Sequence, residues 1–134
     1  MTKIFCFFQL LLFSCFSVKA DFKERFIEDL AANYKIVFFR ASSCYACQLI
    51  EPILIEFLSK YNFKIEAIGL DGNESQYFPN RKDYSLADKL QVEGSPSLFL
   101  ENRETREIIE FIVGYVDNIE LEKRAKLITY KLGL

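Results

Sequence analysis

Residues 38–52 read FFRASSCYACQLIEP, and this stretch decides the fold class because a strand pattern changes into a helix pattern within it. The apolar run that ends here, residues 35–39, is rich in β-branched and aromatic residues, as is typical of a strand buried on both faces. The residues after it have the apolar spacing of a helix, and Ser42 or Ser43 is a suitable N-cap. We therefore predict a buried strand followed by a helix over residues 44–61.

The rest of the chain continues this alternation. In chain order the patterns predict an opening helix (21–33), a second strand (64–70), a surface loop (73–84), a short helix (85–90), a β-hairpin (96–116) and a last helix (from 117 onward). In the last helix Asp117 and Glu120 form a pattern like a capping box. Its predicted buried face consists of Ile119, Leu121, Ala125 and Ile128.

This order of elements predicts an α/β fold, with a central mixed sheet of four to five strands flanked by helices. The first two strands should be parallel, because a helix connects them, and the hairpin should be antiparallel. The 134 residues are 51% hydrophobic, which suffices for one packed domain.

Residues 1–20 have the composition of an export signal. Lys3 supplies a positive charge, and the apolar residues 4–16 are fewer than the ~20 needed to cross a bilayer. We predict that this signal is cleaved, which leaves an exported domain of residues 21–134. Two alternatives are an uncleaved anchor in the inner membrane and a lipoprotein signal that ends at Cys15.

Composition also excludes several classes of function. The chain has 17 basic and 19 acidic residues without a dominant basic patch, so nucleic acid is not an expected partner. It has no His, which excludes imidazole metal sites and Ser-His or Cys-His catalytic pairs. No cofactor and no metal is expected.

Cys44 and Cys47 are the two of the four cysteines that remain after removal of the signal. The N–H groups and the dipole at a helix N-terminus favour the thiolate, which is the attacking species in disulfide exchange. We therefore predict that Cys44 is the nucleophile and that Cys47, one turn later, resolves the mixed disulfide. A metal site would need a dimer to supply four thiolates. An inert structural disulfide is the other alternative, although so short a loop constrains the unfolded chain little.

Together these motifs resemble the thioredoxin fold. The resemblance rests on the strand, the C-x-x-C at a helix start, Pro52 five residues later, where a kink is expected, and Gly94-Ser95-Pro96 before a later strand. It implies that Pro96 is cis beside the cysteines and that the backbone of Ser95 pairs with an extended substrate. The alternative for Pro96 is an ordinary proline at a strand start. Tyr45 is expected to be exposed, as a substrate contact or as a rim residue without a role.

The segments FFRASSCYACQLIEPIL, IGLDGN, FPNRKDYSLADKLQV and SPSLFLENRETRE, in this order, are similar to the TraF/TrbB-type conjugal-transfer thioredoxins. That resemblance implies a periplasmic thiol-disulfide oxidoreductase or isomerase of F-type conjugation, a type IV secretion system. Its partners would be cysteine-containing envelope or secretion-system proteins and a membrane thiol-disulfide donor or acceptor. The alternative is a scaffold protein with an incidental disulfide, for which Tyr77, Phe78 and Pro79 would be the contact surface. We favour an ordinary insertion loop there.

The sequence departs from thioredoxins at two positions. Phe38 and Ala67 stand where thioredoxins have a buried Asp and its Lys partner, which predicts an apolar environment behind the second cysteine. Glu51, one helical turn beyond that cysteine, is a candidate base, and Arg40 is a candidate to stabilise the first thiolate by its charge. For both residues we favour a solvated position over these roles.

Overall fold

A computed structural model describes residues 26–134, so the predicted signal at residues 1–20 and the start of the predicted opening helix lie outside the described residues. The described chain is built on a four-stranded sheet with the strand order β2-β1-β3-β4. The strands are β1 (Tyr34–Arg40), β2 (Ile65–Gly69), β3 (Ser97–Asn102) and β4 (Ile108–Val113). β1 is parallel to β2 and antiparallel to β3, and β3 forms an antiparallel hairpin with β4. The predicted mixed sheet is therefore confirmed.

Helices flank this sheet. They are α1 (residues 26–33), α2 (Tyr45–Tyr61), α3 (Ser85–Lys89) and α4 (Asn118–Lys131). Within residues 26–134, no helix combines the length and the apolarity that crossing a membrane requires. The α/β class predicted from the pattern is confirmed.

Alternation along β1 divides the core in two. Ile36 and Phe38 belong to the large apolar cluster that also holds residues of α1, α2 and α4. Val37 and Phe39 belong to a smaller cluster with Leu86 of α3 on the opposite face. Because side chains on a strand alternate between faces, the last residue of β1 extends from the same face as Phe38, toward α2.

Two details of the predicted helices are wrong. The N-cap of α2 is neither Ser42 nor Ser43 but Cys44, whose Sγ accepts a hydrogen bond from the backbone N–H of Cys47. In α4 the side chain of Ile119 is 75% exposed, although the rest of the predicted face is at least partly buried. The buried residues of α4 recur every four positions from Leu121. Ile119 lies two positions before Leu121, which is about 200° around the helix, so its side chain extends from the side opposite to the buried face.

The predicted surface loop, residues 73–84, is partly integrated into the fold. Phe78 is buried and packs edge-on against Phe38, with 5.9 Å between the ring centroids. Ala67 of β2 donates to the Pro79 carbonyl and accepts from the N–H of Arg81, both at 2.8 Å. The loop thus covers the outer edge of β2. It pairs with β2 through a single parallel bridge, which does not form a fifth strand. Phe78 cannot belong to the contact surface suggested from the sequence.

Candidate functional site

The two cysteines lie at the start of α2 and are joined as a disulfide. Cys44 caps the helix and is partly exposed, whereas Cys47 is fully buried. The backbone N–H of Cys47 lies 3.1 Å from Cys44 Sγ, in position to donate to a thiolate there. An external disulfide can therefore reach Cys44 but not Cys47. This difference fits the two roles predicted from the spacing.

The loop before β3 lies against this pair. The Ser95–Pro96 peptide bond is cis, and Cys44 Sγ lies 3.5 Å from the Ser95 carbonyl oxygen. Pro96 is buried, and Ser95 is partly exposed beside the cysteines. The fold thus brings together four of the five predicted site residues, Cys44, Cys47, Ser95 and Pro96, from two distant parts of the chain. Tyr45, the fifth, is 71% exposed at the outer side of α2.

One further exposed aromatic residue lies near this loop and was not predicted from the sequence. Gly114 donates its N–H to the Pro96 carbonyl at 2.8 Å, which ties the end of β4 to the cis-proline loop. Gly114 has a φ of 85°, in the region that favours glycine. The turn it allows places Tyr115, which is half exposed, directly after it. The glycine after an apolar strand was the available sequence signal for this turn.

A buried ion pair lies beneath α2, contrary to the solvated positions that we favoured for its two members. Arg40 is 9% exposed and Glu51 is 6% exposed. Arg40 Nε lies 3.4 Å from Glu51 Oε1, and Arg40 Nη1 donates to the Asn73 carbonyl at 3.1 Å. Strand alternation turns Arg40 toward α2, and helical spacing turns Glu51 to the side of Cys47. The two charges are buried because tertiary packing brings them together.

A cluster of hydrogen bonds connects the loop before α2 to the turn after β2. The backbone N–H and the hydroxyl of Ser42 both donate to the Asp71 carboxylate, at 2.9 and 2.5 Å, and Asn73 Nδ2 donates to the Ser42 hydroxyl. These bonds from Ser42, together with weaker ones from Asn73, hold the pKa of Asp71 well below its usual value. A Cβ on Gly69 would lie 2.0 Å from the Asn73 carbonyl oxygen, so this close approach requires glycine.

A groove of about 680 Å³ runs along α2 on this side. Arg40 and Glu51 border it from beneath, Pro52 and Ile55 form the helix side, and Tyr77 stands on the opposite loop. The ion pair is therefore shielded from bulk solvent while one side of it borders water-accessible space.

The environment on the sheet side of Cys47 is apolar, as predicted. Phe38 and Ala67 are both buried in the same cluster as Cys47 and are paired across β1 and β2. Within residues 26–134, no group of three or more Cys, Asp or Glu side chains is arranged to hold a metal ion.

Comparisons with known proteins agree with this geometry. A family model described as TraF, F plasmid transfer operon protein, matches residues 16–126. The comparison with curated proteins finds no match.

Solved structures give the fold. A point-mutant thioredoxin from Halobacterium salinarum is 25% identical, with a TM-score of 0.56, over 76% of this chain and 81% of its own. A candidate thiol:disulfide interchange protein DsbE from Chlorobium tepidum is 21% identical, with a TM-score of 0.58, over 75% and 82%. A thioredoxin from Trypanosoma brucei brucei is 16% identical, with a TM-score of 0.53, over 73% and 76%. The thioredoxin-like fold is thereby confirmed.

Proposed function

The chain belongs to the TraF family of F plasmid transfer operon proteins, and on this premise we propose that it is a thiol-disulfide oxidoreductase or isomerase that uses Cys44 and Cys47. The observation that carries the proposal is the position of Cys44 Sγ. Cys44 is partly exposed at a helix N-terminus and is bonded to the fully buried Cys47. Its Sγ lies 3.5 Å from the carbonyl oxygen of Ser95, the residue before the cis-proline.

The proposed reaction begins with the dithiol form of the protein. The Cys44 thiolate attacks a disulfide of the substrate, a Cys44–substrate S–S bond forms, and the leaving substrate sulfur takes the electron pair. The Cys47 thiolate then attacks Cys44 Sγ, which forms the Cys44–Cys47 disulfide and releases the second substrate sulfur. The protein is oxidised by two electrons, and the substrate is reduced to a dithiol and takes up two protons. In reverse, the same steps deliver a disulfide.

Substrate binding is proposed for the loop and the rim around Cys44. An extended substrate segment would pair with the backbone of Ser95 next to Pro96, and the exposed ring of Tyr45 would contact it on the helix side. Aromatic residues at a rim supply contact area at little cost in conformational entropy. The exposed ring of Tyr115 extends this surface.

The cellular setting is also part of the proposal. We place the protein in the periplasm after cleavage of residues 1–20, where it would act on cysteine-containing proteins of the envelope or the conjugative apparatus. A membrane thiol-disulfide donor or acceptor would reset its cysteine pair. Recovery of the protein in the periplasmic fraction tests the location, and sequencing of its N-terminus tests the cleavage, for which the expected first residue is Asp21.

The activity is tested with insulin reduction and with refolding of scrambled disulfides. The wild-type protein should be active, Cys44→Ser should be inactive, and Ser43→Ala, a change in the same exposed loop, should keep the activity. Equal inactivity of the wild type and Cys44→Ser would refute the proposal.

Two further variants address the substrate and the alternative scaffold role. Cys47→Ala should accumulate mixed disulfides through Cys44, which identifies the partners by mass spectrometry; Cys44→Ser/Cys47→Ala is the control that should capture none. If the double Cys→Ser variant restored full conjugative transfer to a strain lacking the gene, the protein would act as a scaffold instead.

A further inference from the structure

The buried position of Cys47 raises a question of proton transfer. Its thiol must lose a proton before it can attack Cys44. Cys47 is fully buried, and its neighbours on the sheet side, Phe38 and Ala67, carry no ionisable group. The proton therefore needs a path through some other group, because bulk water does not reach the sulfur.

Glu51 is placed to supply this path. It follows Cys47 by four residues on α2, a spacing at which Cβ atoms lie about 5–6 Å apart. Side chains on a helix tilt toward its N-terminus, so the Glu51 side chain leans back over the turn that holds Cys47. Apart from the cysteine, the buried residues of α2 include one other ionisable group, Tyr61. Tyr61 lies 14 positions from Cys47, about 21 Å along the helix axis.

The two carboxylate oxygens of Glu51 have different surroundings. Oε1 lies 3.4 Å from Arg40 Nε. Within residues 26–134 no buried side-chain oxygen lacks a hydrogen-bond partner. The only contact of the Glu51 carboxylate in that part of the chain is made by Oε1, so Oε2 is accessible to solvent, and the water-accessible space that Glu51 lines is the groove. The other titratable or charged groups that face the groove are Glu74 and Tyr77, on the opposite loop.

Resting on the proposed function, we propose that Glu51 is the proton acceptor for Cys47 and that Arg40 is the positioning residue that holds its carboxylate between Cys47 and the groove. In the resolving step the proton passes from Cys47 Sγ to Glu51 directly or through a groove water. The Cys47 thiolate attacks Cys44 Sγ, the Cys44–Cys47 bond forms, and the electron pair leaves on the substrate sulfur. Glu51 then returns the proton to groove water. In the reverse reaction Glu51 delivers the proton to Cys47.

The test separates the two chemical steps with the aromatic disulfide dithiobis(nitrobenzoate) in stopped flow. Attack by Cys44 releases one nitrothiobenzoate and attack by Cys47 releases the second. This leaving group departs as a thiolate, so the second phase reports only the deprotonation and attack of Cys47. Cys47→Ser should release one equivalent and Cys44→Ser should show no fast release from the pair.

Glu51→Gln should leave the first phase unchanged and slow the second about a hundredfold near neutral pH, within the range that positioned acid–base groups contribute. The deficit should shrink as pH rises, because hydroxide in the groove water can then take up the proton in place of the carboxylate. Glu51→Asp should restore most of the second phase, and Glu56→Gln, the same charge change at an exposed position of α2, should leave both phases unchanged. A second phase in Glu51→Gln equal to that of the wild type at every pH would overturn the proposal.

Folding is controlled by the double variant Arg40→Met/Glu51→Gln, which leaves no unpaired buried charge. Its second phase should also be slow, and a rate equal to that of the wild type would overturn the proposal. The proposed function fails separately: a wild type that releases no more thiolate than Cys44→Ser has no active pair, whatever Glu51 does.

Discussion

Removal of the Arg40 charge should destabilise the protein more than removal of any surface charge. Arg40→Met leaves the Glu51 carboxylate, which is 6% exposed, without its cationic partner. Breaking a buried pair in this way typically costs about 3–5 kcal/mol. The hydrogen bond to the Asn73 carbonyl adds about 1 kcal/mol. One side of the pair borders the groove, where water can solvate the remaining carboxylate, so we expect a loss near the lower end, about 3 kcal/mol.

The assay is urea unfolding of the oxidised protein, followed by circular dichroism. With a slope of about 1.5 kcal/mol per molar urea, the expected loss lowers the midpoint by about 2 M. The double variant Arg40→Met/Glu51→Gln should regain at least half of this loss, because neither charge is then buried alone. Glu56→Gln should change the free energy of unfolding by less than about 0.5 kcal/mol. If Arg40→Met costs as little as Glu56→Gln, and the effects of the two changes in the double variant simply add, the pair is solvated and the reasoning is wrong.

Three further predictions concern other parts of the fold. The bonds from Ser42 hold the pKa of Asp71 below its usual value, so the stability that they add is complete above the unfolded-state pKa of about 4 and is lost as pH falls through the lower folded-state value. Urea unfolding of Asp71→Asn should therefore show a deficit at neutral pH that closes in acid. Gly69→Ala should lose about 1–3 kcal/mol by urea unfolding, because its Cβ would meet a backbone carbonyl at 2.0 Å. Thermal unfolding should show that Ile119→Ala changes stability by less than about 0.5 kcal/mol, whereas Leu121→Ala costs about 2–5 kcal/mol.

The features that were predictable from the sequence are those set by local pattern. The alternation of strands and helices follows from hydrophobic spacing, and so does the placement of Cys44 and Cys47 at the start of a helix. The cis state of Pro96 came from the family resemblance alone. The orientation of β1 relative to β2 and of β3 relative to β4 also follows from connectivity, because a long helix joins the first two strands and a short turn joins the last two.

The features that were not predictable depend on which element packs against which. A charged residue at a strand end and a Glu on a helix are most often solvated, whereas tertiary packing buries Arg40 and Glu51 as a pair. Phe78 lies in a polar segment without periodicity, so its packing against Phe38 has no signal in the sequence. Hydroxyl side chains are common helix caps, so the sequence predicts a serine as the N-cap of α2, whereas in the structure the sulfur atom of Cys44 takes that place.

The location of the acid matters for the proposed chemistry. In thioredoxins, by the resemblance, the acid belongs to the position of Phe38, on the sheet side of the second cysteine. Here that side is closed by Phe38, Ala67 and the ring of Phe78, so a carboxylate there would be buried without a partner and would cost several kcal/mol. In this chain the acid is Glu51, which lies on α2, the helix that carries Cys47. Glu51 is paired with Arg40, which lies two residues after Phe38 on the same face of β1. That position borders the groove, where a proton can be exchanged with water, and leaves the sheet side free to pack as an apolar core.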